Sequence, residues 1–525
     1  MVTVLDYGAG NVRSVVNAIK GLGEEVSFVS GPSDIGRAEK LIFPGVGSFG
    51  EIIKALKRMG VLEELSRYIL ANRPFWGICL GLQVLFEGSE ESPQEKGLGI
   101  FSGYVRRFRG SLSVPHIGWN GIKAMKASPL FEGLSGEEHF YFVHSYFVDP
   151  EDKEMILTKT DYGEEFVSAI QVGNIIGTQF HPEKSGKAGL LLLKNFLKGG
   201  NREVMPRHVP KRTQLTKRII ACLDVRTDDE GRLVVTKGDQ YDVRDKRERK
   251  VRDLGRPVDM ARGYFEDGAD EITFLNITGF RDFPLLDMPM LRVLKETSKN
   301  VFVPLTIGGG IRPYMDKDGR YYTALDVAHE YFRSGADKIS IGSDAVLIAE
   351  MVLQNGPSGK SSIEEIARVY GSQAVVISID PKRVYVDSPK GVRHRVIKTE
   401  ELGPNGERYC WYQCTIKGGR EGRDLDAITL AEVCEDLGAG EILLNCIDRD
   451  GTNRGFDLEL IQAVSESVSI PVIASSGAGC KEHFLEVFQR TDAEAALAAG
   501  IFHRKEVTIQ EVKEFLKEHV PTRVN

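Results

Sequence analysis

Short apolar runs alternate with longer amphipathic stretches along almost the whole chain, and this alternation predicts strands that are followed by helices. Repeated strand–helix pairing is typical of an α/β fold. The alternation stops once, where the basic segment NREVMPRHVPKRTQ follows GLLLLKNFLKGG without an apolar face. A proline-bearing segment of that kind is typical of a linker. We therefore predict a first domain over residues 1–200, a linker over 201–214 and a second domain over 215–525.

The second domain repeats its own order of strand-like segments. Each half contains a strand that ends in Asp, a Gly-Ala strand, a strand before a Gly-rich loop and a strand of small residues. The first half reads IIACLDV (219–225), GADEITFLNIT (268–278), VFVPLTIGGGI (301–311) and GADKISIGSDA (335–345), and the second reads VVISIDP (375–381), GAGEILLNCID (438–448), SIPVIASSGAG (469–479) and DAEAALAAGIF (492–502). Eight such strands, each followed by a helix, predict a (β/α)8 barrel with two-fold internal symmetry. A doubly wound open sheet is the alternative, but it does not predict two equal halves.

Two polar insertions interrupt the second half, near residues 354–362 and over about 386–424. Their polarity predicts surface loops, and Asn405-Gly406 in the longer one predicts a hairpin turn. Neither insertion indicates a chemistry of its own.

Composition and charge narrow the class of protein. The 525 residues are 27% charged and 42% hydrophobic, which is typical of a soluble globular protein with more than one domain. A net charge of −7 does not indicate nucleic-acid binding, and no apolar run approaches the length of about 18 residues that predicts a membrane span. The seven cysteines are scattered, which predicts reduced thiols and no metal site. Because the first residues already read as a strand and a Gly-rich turn, we expect no targeting segment in this chain.

Cys79 stands in GICLGLQ, between Gly77 and Gly81, at the end of an apolar run. This is the G-x-nucleophile-x-G pattern of a strained strand-to-helix turn that exposes a nucleophile. The stretch LQVLFEG predicts a helix after the turn, and a helix N-terminus favours the thiolate. The alternative is a small, buried and inert cysteine.

A thiol nucleophile needs a base, and His181 in HPEK follows the strand-like run NIIGTQF. Pro182 favours an extended His181, so Glu183 is expected on the same side of the chain, where it can orient the imidazole. A solvated His and Glu after a strand is the alternative. The segment PGVG follows the strand LIF, and its Gly45 and Gly47 provide flexible backbone N–H groups for an oxyanion hole.

Two aspartates predict chemistry in the barrel, because active sites of such barrels lie at the carboxyl ends of the strands. Asp224 and Asp380 end the first and the fifth predicted strands, which face each other across the barrel. Two carboxylates on opposite sides of one site suit a general acid and a general base. Each aspartate by itself can instead cap the next helix.

Gly- and Ser-rich loops also follow the barrel strands in symmetric pairs. Backbone N–H groups in such loops bind anions, so two loops at opposite rims predict an elongated substrate with a phosphate at each end. A turn without a ligand is the alternative for either loop. Lys237, in the polar loop after the first strand, either reaches that substrate as a mobile cation or is a solvated surface lysine. The residues predicted to bind phosphate are Gly309, Gly310, Gly342, Ser343, Ser475, Ser476, Gly477, Ala499 and Gly500.

Four charged residues of alternating sign begin predicted strands at the opposite, amino-terminal end of the barrel. They are Arg218, Glu271, Lys338 and Glu441. Charge at that end usually contributes stability or solvation. A ring of this kind around the barrel axis can also act as a plug.

These motifs resemble known families. GICLGLQ, PGVG and HPEK are similar to the class I glutamine amidotransferases over nearly all of residues 1–198, and VPHIGWN and YFVHSY narrow the resemblance to the glutaminase of the imidazole glycerol phosphate synthase family. The second domain resembles the cyclase barrel of that family through ACLDV, VTKGDQ, LTIGGGI, DKISIGSDA, VISIDPKRV, GEILLNCIDRDG and IASSGAG. Glutaminase and cyclase in one chain resemble the bifunctional fungal and plant enzymes.

The resemblance implies a flavodoxin-like α/β glutaminase domain before the (β/α)8 barrel, and it implies residue roles. The glutaminase triad would be Cys79, His181 and Glu183. The cyclase acid–base pair would be Asp224 and Asp380. Beside the phosphate-binding residues, the implied substrate-binding residues are Gly45, Gly47, Gln83, Lys237, Asp450 and Gly451. The ammonia gate would be Arg218, Glu271, Lys338 and Glu441, and an ion pair between Lys184 and Asp337 is expected to couple the domains.

The implied activity is glutamine-dependent synthesis of imidazole glycerol phosphate in histidine biosynthesis. Glutamine would be hydrolysed in the first domain, and ammonia would pass through the barrel to PRFAR, which yields imidazole glycerol phosphate and AICAR. The implied partners are L-glutamine, PRFAR and the contact between the two domains, without cofactor, metal, nucleic acid or membrane. The implied location is the plastid stroma for a plant source, after removal of a transit peptide, and the cytoplasm otherwise.

Two other functions stay open at this point. The barrel could be the sister isomerase, although isomerisation has no use for ammonia, or the first domain could be a ligand-sensing scaffold with an inactive triad. The chain also departs from the family pattern at two places. Asn445 stands where bacterial forms have threonine, and the insertion over 386–424 is longer than theirs, so we assign neither a catalytic role.

Overall fold

The computed structural model describes residues 1–110, 112–199, 202–228, 230, 232–236, 253–277 and 285–524, which form two α/β units. The strands of the first unit are β1 (Val2–Val4), β2 (Val26–Phe28), β3 (Leu41–Gly45), β4 (Phe75–Cys79), β5 (Gly103–Arg107), β6 (His116–Gly121), β7 (Lys123–Ala124), β8 (His139–His144), β9 (Tyr146–Pro150), β10 (Ile156–Tyr162), β11 (Glu164–Val172) and β12 (Ile175–Thr178). Its helices are α1 (Val12–Gly21), α2 (Pro32–Arg37), α3 (Phe49–Met59), α4 (Leu62–Leu70), α5 (Leu80–Gln83) and α6 (Gly186–Lys198).

The central sheet of the first unit has the order β2-β1-β3-β4-β12-β11-β10-β7, and its strands from β2 to β12 are parallel. Strands β3 and β4 are buried throughout, since helices cover both faces of this part of the sheet. Alternate residues reach opposite faces, so Trp76 packs in one hydrophobic cluster and Phe75 in the other. The carboxyl ends of β3, β4 and β12 therefore lie side by side.

The second unit begins with a long strand and continues as alternating strands and helices. Its strands are β13 (Arg218–Thr227), β14 (Leu233–Thr236), β15 (Glu271–Asn276), β16 (Leu305–Gly308), β17 (Tyr314–Met315), β18 (Tyr321–Tyr322), β19 (Lys338–Ile341), β20 (Val375–Ile379), β21 (Pro381–Val386), β22 (Ile397–Lys398), β23 (Tyr409–Ile416), β24 (Glu421–Asp426), β25 (Glu441–Asn445), β26 (Val472–Ser475) and β27 (Ala495–Ala498). Its helices are α7 (Pro257–Glu266), α8 (Pro289–Thr297), α9 (Ala324–Ser334), α10 (Ser343–Asn355), α11 (Ser362–Tyr370), α12 (Ala427–Asp436), α13 (Leu458–Ser465), α14 (Lys481–Arg490), α15 (Gly500–His503) and α16 (Ile509–Leu516).

Eight parallel strands close into a barrel in the order β13-β15-β16-β19-β20-β25-β26-β27, and β27 pairs with β13. Strand β14 pairs antiparallel with β13 at the rim. Along β13, Ile219 and Ala221 pack with the outer helices, whereas Ile220 and Cys222 pack in a small cluster inside the barrel. The predicted barrel is confirmed, and the alternative of a doubly wound open sheet is wrong.

The longer insertion is more ordered than its polarity indicated. Strands β21, β22, β23 and β24 form a four-stranded sheet, in which Cys410, Trp411 and Cys414 are buried. The expectation of surface loops is therefore wrong here, because β23 packs against α10 and α12. Asn405-Gly406 lies in the predicted hairpin between β22 and β23, with Gly406 at φ +89°. The shorter insertion is an exposed connection between α10 and α11.

The segment between the two units lies along the first one. His208 N donates to Ser135 O at 2.7 Å, and Thr216 N donates to Trp119 O at 2.9 Å. The domain bounds at 200 and 214 stay a prediction. None of the seven cysteines, all of which lie in the described part of the chain, forms a disulfide. In the parts of the chain that the structure describes, no helix has the length and apolar character needed to cross a membrane.

Candidate active sites

The turn at Cys79 has the strain that the Gly-x-Cys-x-Gly pattern predicts. Cys79 ends β4 at φ +54°, in the left-handed region that a non-glycine residue rarely adopts. A side chain at Gly77 would collide with the backbone of Gly81, and one at Gly81 would collide with the carbonyl oxygen of Phe43. The glycines are therefore required for β4, α5 and β3 to pack around the thiol.

The helix predicted over LQVLFEG is shorter than expected, since α5 ends at Gln83. The carbonyl oxygens of Val84 and Leu85 instead accept hydrogen bonds from Leu98 N at 2.7 Å and Ile100 N at 2.8 Å. The chain leaves the helix because these long-range bonds compete for its carbonyl groups.

His181 and Glu183 lie at the end of the neighbouring strand. His181 N donates to Tyr141 O at 2.9 Å, and His181 Nδ1 lies 2.8 Å from Glu183 Oε1. Glu183 belongs to a 3-10 turn over Pro182–Lys184, so the reasoning from an extended segment is wrong for this residue. His181 itself is extended, at φ −100° and ψ 98°. The turn, rather than strand alternation, brings the carboxylate to the imidazole.

Burial makes the electrostatics of this cluster strong. The exposed fractions of Cys79, His181 and Glu183 are 4%, 5% and 3%. Burial by itself lowers the pKa of His181, but the negative charges of Glu183 and Cys79 outweigh it and raise the pKa to about 10. The cluster therefore favours the imidazolium form of His181 close to the sulfur of Cys79.

Gln179 was missed by the sequence analysis. Its Nε2 lies 3.4 Å from Cys79 Sγ, and its Oε1 accepts a hydrogen bond from Gln83 Nε2 at 3.0 Å. Gln83 Nε2 also donates to Tyr146 O at 3.0 Å. The sequence could have indicated Gln179 through its position, because it directly follows a buried strand and lies two residues before His181. Gln179 donates toward the sulfur, so it stabilises negative charge there.

Glu91 was also missed. Its Oε2 accepts a hydrogen bond from Phe49 N at 2.6 Å, at the start of α3. Burial raises the pKa of Glu91 to about 7, although this hydrogen bond acts in the opposite direction. Burial raises the pKa of the Tyr146 side chain, and the charge of Glu91 raises it further. The carbonyl oxygen of Tyr146 accepts the hydrogen bond from Gln83 Nε2. A half-buried carboxyl group therefore lies at the start of α3, just after the PGVG segment.

The predicted oxyanion segment PGVG lies directly beside Cys79. Gly45 pairs with Cys79 in the parallel register of β3 and β4. Gly47 has φ +119°, and a Cβ there would lie 2.7 Å from Val369 O of the second unit. Between them, Val46 N donates to Tyr7 Oη at 2.8 Å. The segment thus contacts the thiol turn, the Tyr7 side chain and the barrel unit.

At the carboxyl end of the barrel, Asp380 directly follows β20 and Asp224 lies on β13, and these are the fifth and first strands of the closed order. Asp380 Oδ1 accepts a hydrogen bond from Asn445 Nδ2 at 2.9 Å. Burial raises the pKa of Asp380, against the effect of this bond, and the charge of Asp450 raises it further. Asn445, which was assigned no role, therefore positions the predicted acid.

The predicted phosphate loops occupy two rims of this mouth. Gly309 and Gly310 follow β16 with φ +89° and +80°, and Ser476 and Gly477 follow β26 with φ +74° and +99°. The first rim also contains Gly342 and Ser343 at the start of α10, and the second contains Ser475, Ala499 and Gly500. Asp450 and Gly451 lie in the turn after β25. Lys237 lies outside the described residues.

One contact on the first rim had no signal in the sequence. Lys417 N, in the turn between β23 and β24, donates to Ser343 Oγ at 3.0 Å. The insertion sheet therefore reaches the predicted phosphate site.

The four charged residues at the other end of the barrel pair with one another. Arg218 Nη1 lies 3.0 Å from Glu271 Oε2, and Arg218 also contacts Glu441. Lys338 Nζ lies 2.7 Å from Glu271 Oε1 and 2.6 Å from Glu441 Oε2. All four are fully buried. Burial lowers the pKa of Arg218, but the charges of Glu441 and Glu271 outweigh it and raise the pKa. The four side chains form a buried network of ion pairs at this end of the barrel.

The ring faces the cluster of Cys79, His181 and Glu183. Tyr141 accepts the His181 N–H through its carbonyl oxygen, and the charges of Glu271 and Arg218 act on its buried hydroxyl. Lys184 Nζ, directly after the triad, lies 2.6 Å from Asp337 Oδ2, which also accepts a hydrogen bond from Leu305 N at 2.8 Å. The triad loop therefore contacts the starts of β16 and β19. Within the described residues, no cluster of three or more His, Cys, Asp or Glu side chains could hold a metal ion.

Comparison with known proteins agrees with the division of the chain into two units. Residues 3–199 match the family described as "Glutamine amidotransferase class-I", and residues 218–508 match "Histidine biosynthesis protein". The chain is 59% identical over 524 residues to "Imidazole glycerol phosphate synthase hisHF, chloroplastic" of Arabidopsis thaliana, which covers 99% of the chain and 88% of that protein.

Two further relatives extend the comparison. The chain is 55% identical over 534 residues to "Imidazole glycerol phosphate synthase hisHF" of Schizosaccharomyces pombe, with 99% of each protein covered. "Imidazole glycerol phosphate synthase subunit HisF" of Methanobrevibacter smithii is 42% identical over 313 residues, which is 59% of the chain and 100% of the relative. From these matches and the two-unit architecture, the chain belongs to the imidazole glycerol phosphate synthase hisHF family.

Proposed function

We propose that the protein is a glutamine-dependent imidazole glycerol phosphate synthase of histidine biosynthesis, with L-glutamine and PRFAR as substrates. The observation that supports this most directly is the docking of a Cys-His-Glu cluster against the charged ring that closes the barrel. The cluster that would release ammonia from glutamine thereby contacts one end of the barrel. The other end of the barrel has the paired carboxylates and the glycine-rich rims.

In the first unit, the Cys79 thiolate attacks the side-chain amide carbon of glutamine. His181 gives a proton to the departing nitrogen, which leaves as ammonia, and Glu183 holds the imidazole in place. Water then hydrolyses the thioester, with His181 as base, and releases glutamate. Gln83 and Glu91 are proposed to hold the substrate, because a half-buried carboxyl group suits its α-ammonium group.

Ammonia then passes through the ring into the barrel. Above the ring, the barrel interior is a small apolar cluster of side chains, listed as Ile220, Cys222, Val376, Leu443, Ile473, Ala495 and Leu497. An apolar passage favours neutral ammonia over ammonium, because transfer of a charge into it carries a large desolvation cost. Arg218, Glu271, Lys338 and Glu441 are the proposed gate, since a passage along the axis must cross their ion pairs.

At the carboxyl end of the barrel, Asp380 and Asp224 are proposed to exchange protons with PRFAR as ammonia attacks and the imidazole ring closes. The raised pKa of Asp380 supports the role of general acid, because it shifts the carboxyl group toward the protonated form, which can donate a proton. The two rims are proposed to bind the two phosphates, with Asp450 and Gly451 at the same mouth. Lys237 stays a predicted substrate contact.

We also propose the domain bounds, the partners and the cellular location of the protein. The bounds of the two catalytic domains are taken as 1–200 and 215–525, and neither nucleic acid nor a membrane is a proposed partner. The plastid stroma is proposed if the source is a plant, where the Arabidopsis relative is named chloroplastic, and the cytoplasm otherwise. Cell fractionation with an antibody to the chain tests this location.

Mass spectrometry of the products tests the reaction. The protein is incubated with PRFAR and glutamine that is ¹⁵N-labelled at the side-chain amide. We expect the label in imidazole glycerol phosphate, together with stoichiometric AICAR and glutamate. A product isomeric with its substrate and free of label would favour the isomerase, and no glutamate at all would favour the scaffold.

A further inference from the structure

Two histidines of the first unit form a buried pair that the proposed function does not use. His116 on β6 lies opposite His144 on β8, and His116 Nδ1 is 3.2 Å from His144 Nε2. Their exposed fractions are 0% and 3%. On the other side of its ring, His144 Nδ1 lies 2.8 Å from Tyr146 O. The pair thus ends on the backbone carbonyl group to which Gln83 also donates.

The carbonyl oxygen of Tyr146 fixes the hydrogens on both rings. A carbonyl oxygen only accepts, so His144 Nδ1 carries a hydrogen and donates it. Burial lowers the pKa of His144 to about 3, so its ring is neutral at ordinary pH and its Nε2 has a lone pair. That lone pair accepts the hydrogen on His116 Nδ1. The two neutral rings therefore form one directed chain of hydrogen bonds that ends at Tyr146 O.

From Tyr146 O the hydrogen bonds continue to the thiol. Gln83 Nε2 donates to this oxygen at 3.0 Å and to Gln179 Oε1 at 3.0 Å. Gln179 Nε2 is thereby turned toward Cys79 Sγ, which lies 3.4 Å away. The two ends of a side-chain amide have nearly the same shape, so its hydrogen-bond partners decide whether nitrogen or oxygen faces the sulfur. An oxygen in that place would repel negative charge on the sulfur.

The surroundings of the pair argue against a role in packing alone. The ring of His116 stacks on those of Tyr162 and Phe142, with centroids 4.0 Å and 5.0 Å away. Its Nε2 is buried and has no hydrogen-bond partner within the described residues. A buried nitrogen without a partner costs free energy that an apolar ring of similar size would not cost. The hydrogen bond to Tyr146 O therefore explains the pair better than its packing does.

We propose that His144 is a positioning residue for Cys79: its Nδ1–H holds Tyr146 O, and this contact sets which way the two glutamine side chains face. His116 supports it, since the hydrogen on its Nδ1 fixes the tautomer of His144. The inference deepens the proposed function, because it rests on Cys79 as the nucleophile of a glutaminase. It concerns the resting arrangement of the first unit and is independent of a ligand in the barrel.

The test compares His144→Phe with His144→Asn in the full chain. Phenylalanine has a ring of similar size but no donor, whereas the Nδ2 of asparagine can take the place of the imidazole Nδ1 and donate to Tyr146 O. Both changes remove the contact with His116, so they share any general loss of packing. Only the donor to Tyr146 O differs between them.

The first measurement is the rate at which iodoacetamide alkylates Cys79 at one fixed pH, with the modified peptide identified by mass spectrometry. We expect His144→Phe to lower this rate about three- to tenfold, the change that loss of one buried hydrogen bond allows. His144→Asn should restore most of the rate. His144→Leu, which also has no donor, takes the place of His144→Phe if that variant does not fold.

The second measurement is glutamate release in the presence of PRFAR. In His144→Phe, kcat for glutamine hydrolysis should fall in step with the alkylation rate, since both report the surroundings of the sulfur. Tyr162→Phe is the matched control, because it removes a buried hydroxyl group that donates to Ser113 O at 2.6 Å in the same aromatic cluster. Both rates should stay within about twofold of the unaltered chain in this control.

Each other outcome decides against the proposal. An unchanged alkylation rate in His144→Phe overturns it, and so does an equal fall in His144→Phe and His144→Asn, because packing and not the donor would then matter. A similar fall in Tyr162→Phe has the same meaning. If the unaltered chain releases no glutamate, or Cys79→Ala releases as much, the proposed glutaminase itself is wrong, whereas the alkylation rates still decide the role of His144.

Discussion

The glutaminase cluster and the mouth of the barrel use buried charge in different ways. In the first, His181 lies between Glu183 and Cys79, and their negative charges raise its pKa to about 10 against the effect of burial. In the second, Asp380 is held by the neutral amide of Asn445, and burial raises its pKa. The first site favours the charged form of its histidine, and the second shifts its carboxyl group toward the protonated form.

The difference follows from the chemistry that each site is proposed to perform. A thiolate nucleophile must be charged before the substrate arrives, so its counter-ion is built into the protein. A general acid must retain a proton near neutral pH, so a cation beside it would be harmful. In the charged ring between the two sites, the four side chains form ion pairs with one another and not with described residues of either site. Variants of one site, of both sites or of the ring test whether the two sites use buried charge in these different ways.

The largest effect is expected from Cys79→Ala. It should lower synthesis from glutamine by at least about 10⁴-fold, because the nucleophile is lost, but leave synthesis from ammonium salts at alkaline pH near normal. Formation of imidazole glycerol phosphate with each nitrogen source is the measurement. Cys434→Ala, a buried free thiol on α12, is the matched control and should keep both activities. Loss of both activities in folded Cys79→Ala protein would contradict the separation of the sites.

Asp380→Asn and Asp224→Asn should each lower synthesis by about 10² to 10⁴-fold with either nitrogen source, since a proton-transfer group is lost. Steady-state rates with glutamine and with ammonium are compared. Asp436→Asn, at the exposed end of α12, is the control and should be neutral. Near-normal turnover in either variant would return that aspartate to a helix-capping role.

Arg218→Met should reduce the free energy of unfolding by about 3 to 5 kcal/mol, because Glu271 and Glu441 would lose a buried partner. The measurement is urea unfolding followed by circular dichroism. Arg67→Met, which breaks exposed ion pairs on α4, should cost less than about 1 kcal/mol. Equal effects of the two variants would show that the ring contributes no more than surface charge.

The first unit should lose stability in mild acid. Burial lowers the pKa of His144 to about 3 and that of His139 to about 4, both below the unfolded value near 6.5. Their contribution is therefore present above pH 6.5 and is lost as pH falls toward the folded values, by about 1.4 kcal/mol per pH unit for each histidine. His181 has the opposite sign, since its raised pKa stabilises the fold below pH 6.5 and this is lost as pH rises through about 10.

The measurement is the free energy of unfolding of the first unit in urea, taken at several pH values between 7.5 and 5. Its slope against pH reports the contribution of the histidines. His144→Gln should flatten it by the share of one histidine, whereas His519→Gln, near the carboxyl terminus, should not. A slope that His144→Gln leaves unaltered would place the acid sensitivity elsewhere.

The smallest effect is expected from Lys184→Ala, which removes the ion pair with Asp337. Stimulation of glutamine hydrolysis by PRFAR should fall several-fold, while cyclisation with ammonium stays close to normal, because the pair lies at the domain contact and not at either reacting group. Glutaminase rates with and without PRFAR are compared with those of Lys187→Ala, an exposed lysine nearby. Unchanged stimulation would make Lys184 an interface charge only.

Much of the architecture could be predicted from local patterns. The eight strand segments, the turn at Cys79 and the reach of Glu183 to His181 depend on residues close together in the chain. Errors arose where distant parts compete for the same groups. The helix after Cys79 ends early because Leu98 and Ile100 take its carbonyl groups. The polar insertion forms a partly buried sheet because helices α10 and α12 cover one face.

The local pattern of apolar and polar residues specifies which residues alternate between core and solvent, and so the order of strands, helices and chemical groups along the chain. Which of these groups meet depends on how the whole chain packs. Asn445 contacts Asp380 across two barrel strands, the four ring charges meet because the barrel closes, and Tyr7 reaches Val46 because β1 and β3 pair. Periodicity along one chain specifies the face on which a side chain lies, whereas a long-range polar contact depends on register, closure and docking, which arise only when the whole core packs.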